Sequence, residues 1–168
     1  MVSIPPCPFA PFDETLSLDN PHYYFMQCAF NEALKAWKSG EIPIGCIAVS
    51  NGKIVARSHN LVETNHDATQ HAELNILRTL SQQRNNWRLT DITLYVTKEP
   101  CPMCSGAIYK ARIPMVVLGV FDNQQGCLGG RLDFNQNVHL NHTVSIQLES
   151  LDGLCEKLLL TFFTSRRT

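Results

Sequence analysis

Apolar positions along the chain change period several times, and each change marks an element. After Asn20 and Pro21, a good N-cap and first-turn pair, the apolar residues of "HYYFMQCAFNEALKAWKSG" recur at helical spacing until Gly40 stops them. "IGCIAVS" and "KIVARS" are β-rich runs joined by Asn51-Gly52, the strongest hairpin signal in the chain. The polar stretch "HNLVETNHD" reads as a loop, with Asp67 as the cap of a helix running to about Leu80. "ITLYVT" reads as a buried strand, "CPMCSGAIYKAR" as a helix, "MVVLGV" as a strand and "VSIQL" as a weaker strand. "LDGLCEKLLLTFFTSRR" reads as a closing amphipathic helix. The order α, β, β, α, β, α, β, β, α predicts a mixed sheet with helices on both faces. Residues 1–19, rich in Pro and Phe, read as an extended arm before a single domain over 20–168.

Composition narrows the setting. A chain of 168 residues, 44% hydrophobic, is long enough for one buried core and short for two. A net charge of −1 gives no overall basic field for nucleic acid or an anionic membrane, and leaves only local patches for RNA. The longest apolar runs, "MVVLGVF" and "LLLTFF", cannot span a bilayer, and the start lacks a signal-peptide pattern, so a cytoplasmic protein is expected. Seven scattered cysteines do not form a secreted disulfide framework; five of them read as small buried hydrophobes.

The other two cysteines, Cys101 and Cys104, carry the chemistry. A CxxC at a helix start puts two thiolates on one side of a turn, where exposed amides favour the anion. Taken alone, the pair reads equally as a redox couple or half of a structural zinc site. His71, near the start of the preceding predicted helix, is the third ligand that would convert it to a catalytic site with an open position for water. Glu73, two residues on, points about 200° away in helical projection, yet from the first turn it can lean over that water and relay a proton. A structural site would need a fourth ligand, for which His22, His59, His66, His139 and His142 qualify by composition only.

With these motifs in place, the chain resembles the zinc-dependent nucleobase deaminases, whose signature is HxE followed by PCxxC. Within them it resembles the bacterial tRNA-specific adenosine deaminases. The landmarks are "EIPIGC" at 41–46, Asn60, "HAE" at 71–73, "TLYVTKEPCPMC" at 93–104, Asp122, "GCLGG" at 126–130, "LNH" at 140–142 and "LLLTFFTSRR" at 158–167. The resemblance implies a three-layer α/β/α cytidine deaminase-like fold with a mixed central sheet of about five strands. It further implies a homodimer with active sites near the subunit contact, and hydrolysis of adenosine to inosine at the wobble position of a tRNA anticodon loop. By the same carry-over, His71, Cys101 and Cys104 hold one zinc per subunit and Glu73 shuttles protons. Asn60 contacts the target nucleoside, Asp122 and Asn141 contact it or its neighbours, and Ile44 with Asn60 gives an apolar wall and a polar tether.

Two departures bear on substrate. Where the family's loop usually carries basic residues, this chain has "FDNQQG", which leaves phosphate contacts to Lys98, Lys110, Arg131, Arg166 and Arg167. Each of these is otherwise an ordinary solvated cation. "EPCPMCSGAIYKAR" also resembles guanine and cytosine deaminases, so a free-base enzyme is the alternative. A non-catalytic zinc-stabilised RNA-binding module is a third reading, against which Glu73 argues, since a structural zinc needs no such carboxylate.

Overall fold

Neighbouring residues of the first strand, β1 (Gly45–Ser50), belong to two different cores. Cys46 and Ala48 join one cluster, Ile47 and Val49 the other, as the two-residue period of a strand buried on both faces requires. The computed structural model describes residues 4–15, 19–136 and 140–166; His139 and Arg167 lie outside them. The sheet continues with β2 (Lys53–His59), β3 (Thr93–Val96), β4 (Met115–Leu118) and β5 (Ser145–Leu148), in the order β2-β1-β3-β4-β5. β1 runs antiparallel to β2 and β3, while β3, β4 and β5 are parallel. The mixed five-stranded sheet expected from the sequence is present.

On one face lie α1 (Pro21–Lys38) and α5 (Leu154–Ser165), whose Phe30, Trp37, Leu158 and Phe162 pack with Ile47, Tyr95 and Val117. On the other lie α3 (Ala72–Gln83) and α4 (Pro102–Lys110), whose Ile76, Leu80 and Ile108 pack with Ala48, Leu94, Val96 and Val116. This is the three-layer α/β/α arrangement.

Local chemistry accounts for the boundaries. Asn20 Oδ1 accepts from the amides of His22 and Tyr23 at 3.0 and 3.3 Å, which caps α1 ahead of Pro21; such a cap contributes about 1 kcal/mol. Asn51 and Gly52 both adopt positive φ, 49° and 72°, as a two-residue hairpin between right-twisted strands demands.

Two details differ from the sequence reading. The stretch taken as a loop contains a one-turn helix, α2 (Val62–Asn65). The helix expected from Asp67 begins instead at Ala72, with His71 in the N-cap position. Asp67 caps a turn of its own, accepting from the Thr69 amide and hydroxyl, both at 2.8 Å, and from Gln70 Nε2 at 3.1 Å. A short carboxylate that bonds its backbone two residues on competes with helix initiation.

The N-terminal segment lies along α1. Phe9 and Phe12 meet the Phe30 ring edge to face, Trp37 Nε1 donates to Pro5 O at 2.8 Å, and Asn31 bonds both the amide and the carbonyl of Phe12. Glu14 completes the attachment with a two-pronged pair to Arg57, at 3.0 and 2.7 Å.

Candidate zinc site and its pocket

The site lies where two helices begin. His71 is the N-cap residue of α3, Cys101 is the N-cap residue of α4 just past the end of β3, and Cys104 lies in the first turn of α4. Pro102 at the first helical position fits a turn whose amide would lack a partner. Both helix starts therefore aim amides and the positive end of the helix dipole at the same volume. That volume is outside the carboxyl end of a parallel strand, the usual ligand position in such sheets.

The ligand atoms are set at metal-binding spacing. His71 Nδ1 is 3.6 Å from Cys101 Sγ and 3.5 Å from Cys104 Sγ, and all three atoms lie within 4.8 Å of one another. With Zn–S about 2.3 Å and Zn–N about 2.0–2.1 Å, two ligands on a tetrahedral zinc stand roughly 3.5 Å apart. We therefore read these separations as edges of a coordination tetrahedron rather than as weak sulfur hydrogen bonds. The set of one imidazole and two thiols suits zinc and leaves one corner free. The groups also polarise one another. Cys104 and His71 hold the Cys101 thiol down at about 4, whereas its pairing with Cys101, and its burial, push the Cys104 thiol well up. The neighbouring Cys101 sulfur raises His71.

Glu73 sits in the first turn of α3, 4% exposed, and its Oε2 has no hydrogen-bond partner among the described residues. Burial raises its carboxyl above the usual range. An unpartnered buried carboxylate oxygen is costly unless it serves a ligand or a proton. It opens onto a cavity of about 230 Å³ that is also lined by His71, Cys101, Asn60 and Ile44. Asn60, 4% exposed, accepts the Ala72 amide through Oδ1 at 3.3 Å, and its own amide donates to Ile44 O at 3.1 Å. Its side chain is thereby fixed one residue from His71.

The structure brings together six of the eight residues expected from sequence: His71, Cys101, Cys104, Glu73, Asn60 and Ile44. The other two, Asp122 and Asn141, are not among the residues that line this cavity. Asp122 does not line the cavity; its Oδ2 accepts from Lys98 Nζ at 2.5 Å, and Lys98 lines the wall. Burial works against ionisation of Asp122, but Lys98 and the Gln124 amide hold its carboxyl below the usual range. Asn141 accepts from Arg112 at 2.8 Å and borders a separate cleft with Tyr109 and His142. Arg166 donates to Gly40 O and lies 5.0 Å over the Phe162 ring, so its guanidinium is engaged within the fold. His22 contacts the Tyr95 hydroxyl, His142 Nε2 donates to Ile113 O, and His59 lies by Glu32. Among the described residues, the His71, Cys101 and Cys104 cluster is the metal-binding group found.

Two further carboxylates at the cavity were missed by sequence reasoning. Glu41 accepts from the Glu63 and Thr64 amides at 3.2 and 2.8 Å, which caps α2 at the rim. Glu99, immediately before Pro100 and Cys101, holds the loop on the opposite side. Burial gives them away in three dimensions, but acidic residues next to motifs read as solvated in sequence.

Comparison with known proteins agrees with this geometry. Residues 19–120 match the family model for the cytidine and deoxycytidylate deaminase zinc-binding region. The tRNA-specific adenosine deaminase of Bacillus subtilis is 41% identical over 143 residues, covering 85% of this chain and 89% of the relative. A solved structure from a study of A-to-I editing by tRNA:A34 deaminases at the wobble position of transfer RNA superposes with a TM-score of 0.76. It shares 32% identity and covers 81% of this chain and 99% of that one. The guanine deaminase of Bacillus subtilis shares 37% identity but covers 60% of this chain and 64% of its own, with a TM-score of 0.56. The chain belongs to the zinc-binding cytidine and deoxycytidylate deaminase family, grouping within it with the tRNA-specific adenosine deaminases, and zinc is its cofactor.

Proposed function

We propose that the protein hydrolytically deaminates adenosine to inosine at the wobble position of a tRNA anticodon loop, with one zinc per subunit on His71, Cys101 and Cys104. The observation that carries the chemistry is the unpartnered Glu73 Oε2 beside a three-ligand cluster with one free corner. When bound, zinc supplies Lewis acidity that brings the pKa of water toward about 7. Glu73 would take a proton from the attacking water and return it to the departing nitrogen, from a buried position that opens onto the cavity. Asn60 orients the nucleoside, and Ile44 gives the base an apolar wall.

A volume near 230 Å³ is below the roughly 300–1,000 Å³ of sites for drug-sized ligands, and suits a single base with the rest of the substrate outside. An anticodon loop provides such a base already unstacked. The near-full-length likeness to tRNA-specific adenosine deaminases supports RNA over a free base. On the same reading residues 20–168 form one deaminase domain behind an arm at 1–19, in a cytoplasmic enzyme. No helix among the described residues is long and apolar enough to cross a membrane. A homodimer with active sites near the subunit contact belongs to the same reading.

The test is product analysis with the purified zinc protein and three substrates: an anticodon stem-loop with a wobble adenosine, guanine, and cytosine. Inosine in the stem-loop alone is the expected result. Efficient deamination of either free base with an untouched stem-loop overturns it in favour of the free-base enzyme.

A further inference from the structure

Glu99 is 3% exposed and makes no ion pair among the described residues, yet both its oxygens are used. Oε2 accepts the Asp122 amide at 2.7 Å, and Oε1 accepts the amides of Leu128 and Gly130 at 2.7 and 2.9 Å. Three backbone donors from a nine-residue stretch thus converge on one carboxylate. The loop wraps it so closely that a Cβ at Gly126 or Gly130 would collide with Oε2. The packing explains both glycines without any call on backbone conformation. Glu99 is itself fixed: its amide donates to Val120 O at 2.9 Å, and Pro100 O accepts from Cys127 at 3.2 Å. Next to it, Lys98 holds the Asp122 side chain. The side chains of Lys98 and Glu99 and the Pro100 carbonyl therefore grip the 122–130 loop together.

We propose that Glu99 is a positioning residue for the substrate: it hangs the 122–130 loop on the segment that carries Cys101, so that the wall of the cavity is set in register with the metal ligands. The loop provides Gln125 to the cavity lining. It supplies no zinc ligand and no group that moves a proton. A displaced loop thus weakens substrate binding in the ground and transition states alike, which raises KM and leaves kcat nearly as it was. A carboxylate suits the task because it offers acceptors only; an amide in its place would turn a donor toward a backbone N–H. This inference deepens the proposed tRNA reading and rests on it for the substrate.

The experiment uses the zinc-loaded protein with Glu99→Gln, and with Gly130→Ala as an approach from the loop side. It reads zinc content, KM and kcat on the wobble-adenosine stem-loop, and amide hydrogen exchange at Leu128 and Gly130. Leaving one buried donor unpaired should raise KM about five- to a hundredfold, with kcat changed less than about threefold, one zinc retained and faster exchange at both amides. Gly130→Ala should repeat the pattern, and it decides the matter where Glu99→Gln fails to fold. Unchanged KM, loss of zinc, or a fall in kcat at constant KM overturns the proposal, since each makes Glu99 a support of the metal site or nothing at all. Should the unsubstituted protein leave the stem-loop untouched, the tRNA reading fails separately. Exchange then still judges the tether, with unaltered rates at Leu128 and Gly130 counting against it.

Discussion

Lys98 Nζ meets Asp122 Oδ2 at 2.5 Å, across the edge of the cavity that holds His71 and Glu73. The pair engages the Asp122 carboxylate and makes Lys98 the one lysine or arginine among the described residues that line the wall. The cation that lines this cavity is thus half of an ion pair whose other half, Asp122, belongs to the loop that has few basic residues.

The first prediction concerns that pair. Lys98 is partly exposed and Asp122 is nearly buried, so a double-mutant cycle with Lys98→Ala and Asp122→Ala should show a coupling of about 1 kcal/mol in urea unfolding. Strict additivity would mean that the contact does not persist in solution.

Asn60 has two separable jobs. Its Oδ1 holds the Ala72 amide at the start of α3, and its side chain borders the substrate cavity. Asn60→Asp keeps the acceptor and removes the amide donor but buries a carboxyl at a position 4% exposed, so stability should fall by about 1–3 kcal/mol with zinc retained, while stem-loop turnover falls about tenfold or more. Asn60→Ala should lose both, with about 1 kcal/mol of stability gone. Equal activity in the unsubstituted protein and Asn60→Asp would remove Asn60 from substrate binding.

The N-terminal segment has a pH signature. Burial would raise the Glu14 carboxyl, but Arg57 and Asn31 outweigh it and hold it lower than usual. A lowered folded-state value means that the contribution is present above the ordinary carboxylate range and is lost as pH falls through the lowered value. The pair is partly exposed, so Glu14→Gln should lower Tm by only about 1–2 °C at pH 7. That gap should close on acidification below pH about 4. A gap independent of pH would place the effect in packing rather than charge.

What was legible in sequence follows from range. The Asn20 cap, the Asn51-Gly52 hairpin and the Pro100-Cys101 helix start are decided by neighbours a few residues away, and all form as expected. The zinc cluster was legible because its ligands sit at helix starts, which sequence marks, even though His71 and Cys101 are thirty residues apart. The start of α3 was misread because Asp67 has two possible partners, its own turn or the helix, and the turn wins. Asp122 and Asn141 are expected at the nucleoside or its neighbours by family likeness alone, and their partners Lys98 and Arg112 are 24 and 29 residues distant. No local pattern announces those pairings. Glu99 was hidden for the same reason, since its amide donors lie 23 to 31 residues on.

The account's central claim is that zinc holding and proton transfer are divided between the three-ligand cluster and Glu73. It is tested most directly by measuring zinc content and stem-loop deamination together in Glu73→Gln. The substitution keeps the shape of the side chain and removes its ability to take and return a proton. We expect one zinc per chain, as in the unsubstituted protein, with turnover lower by about 10²- to 10⁴-fold. Turnover near that of the unsubstituted protein with zinc in place would contradict the account, because some other group would then be moving the proton.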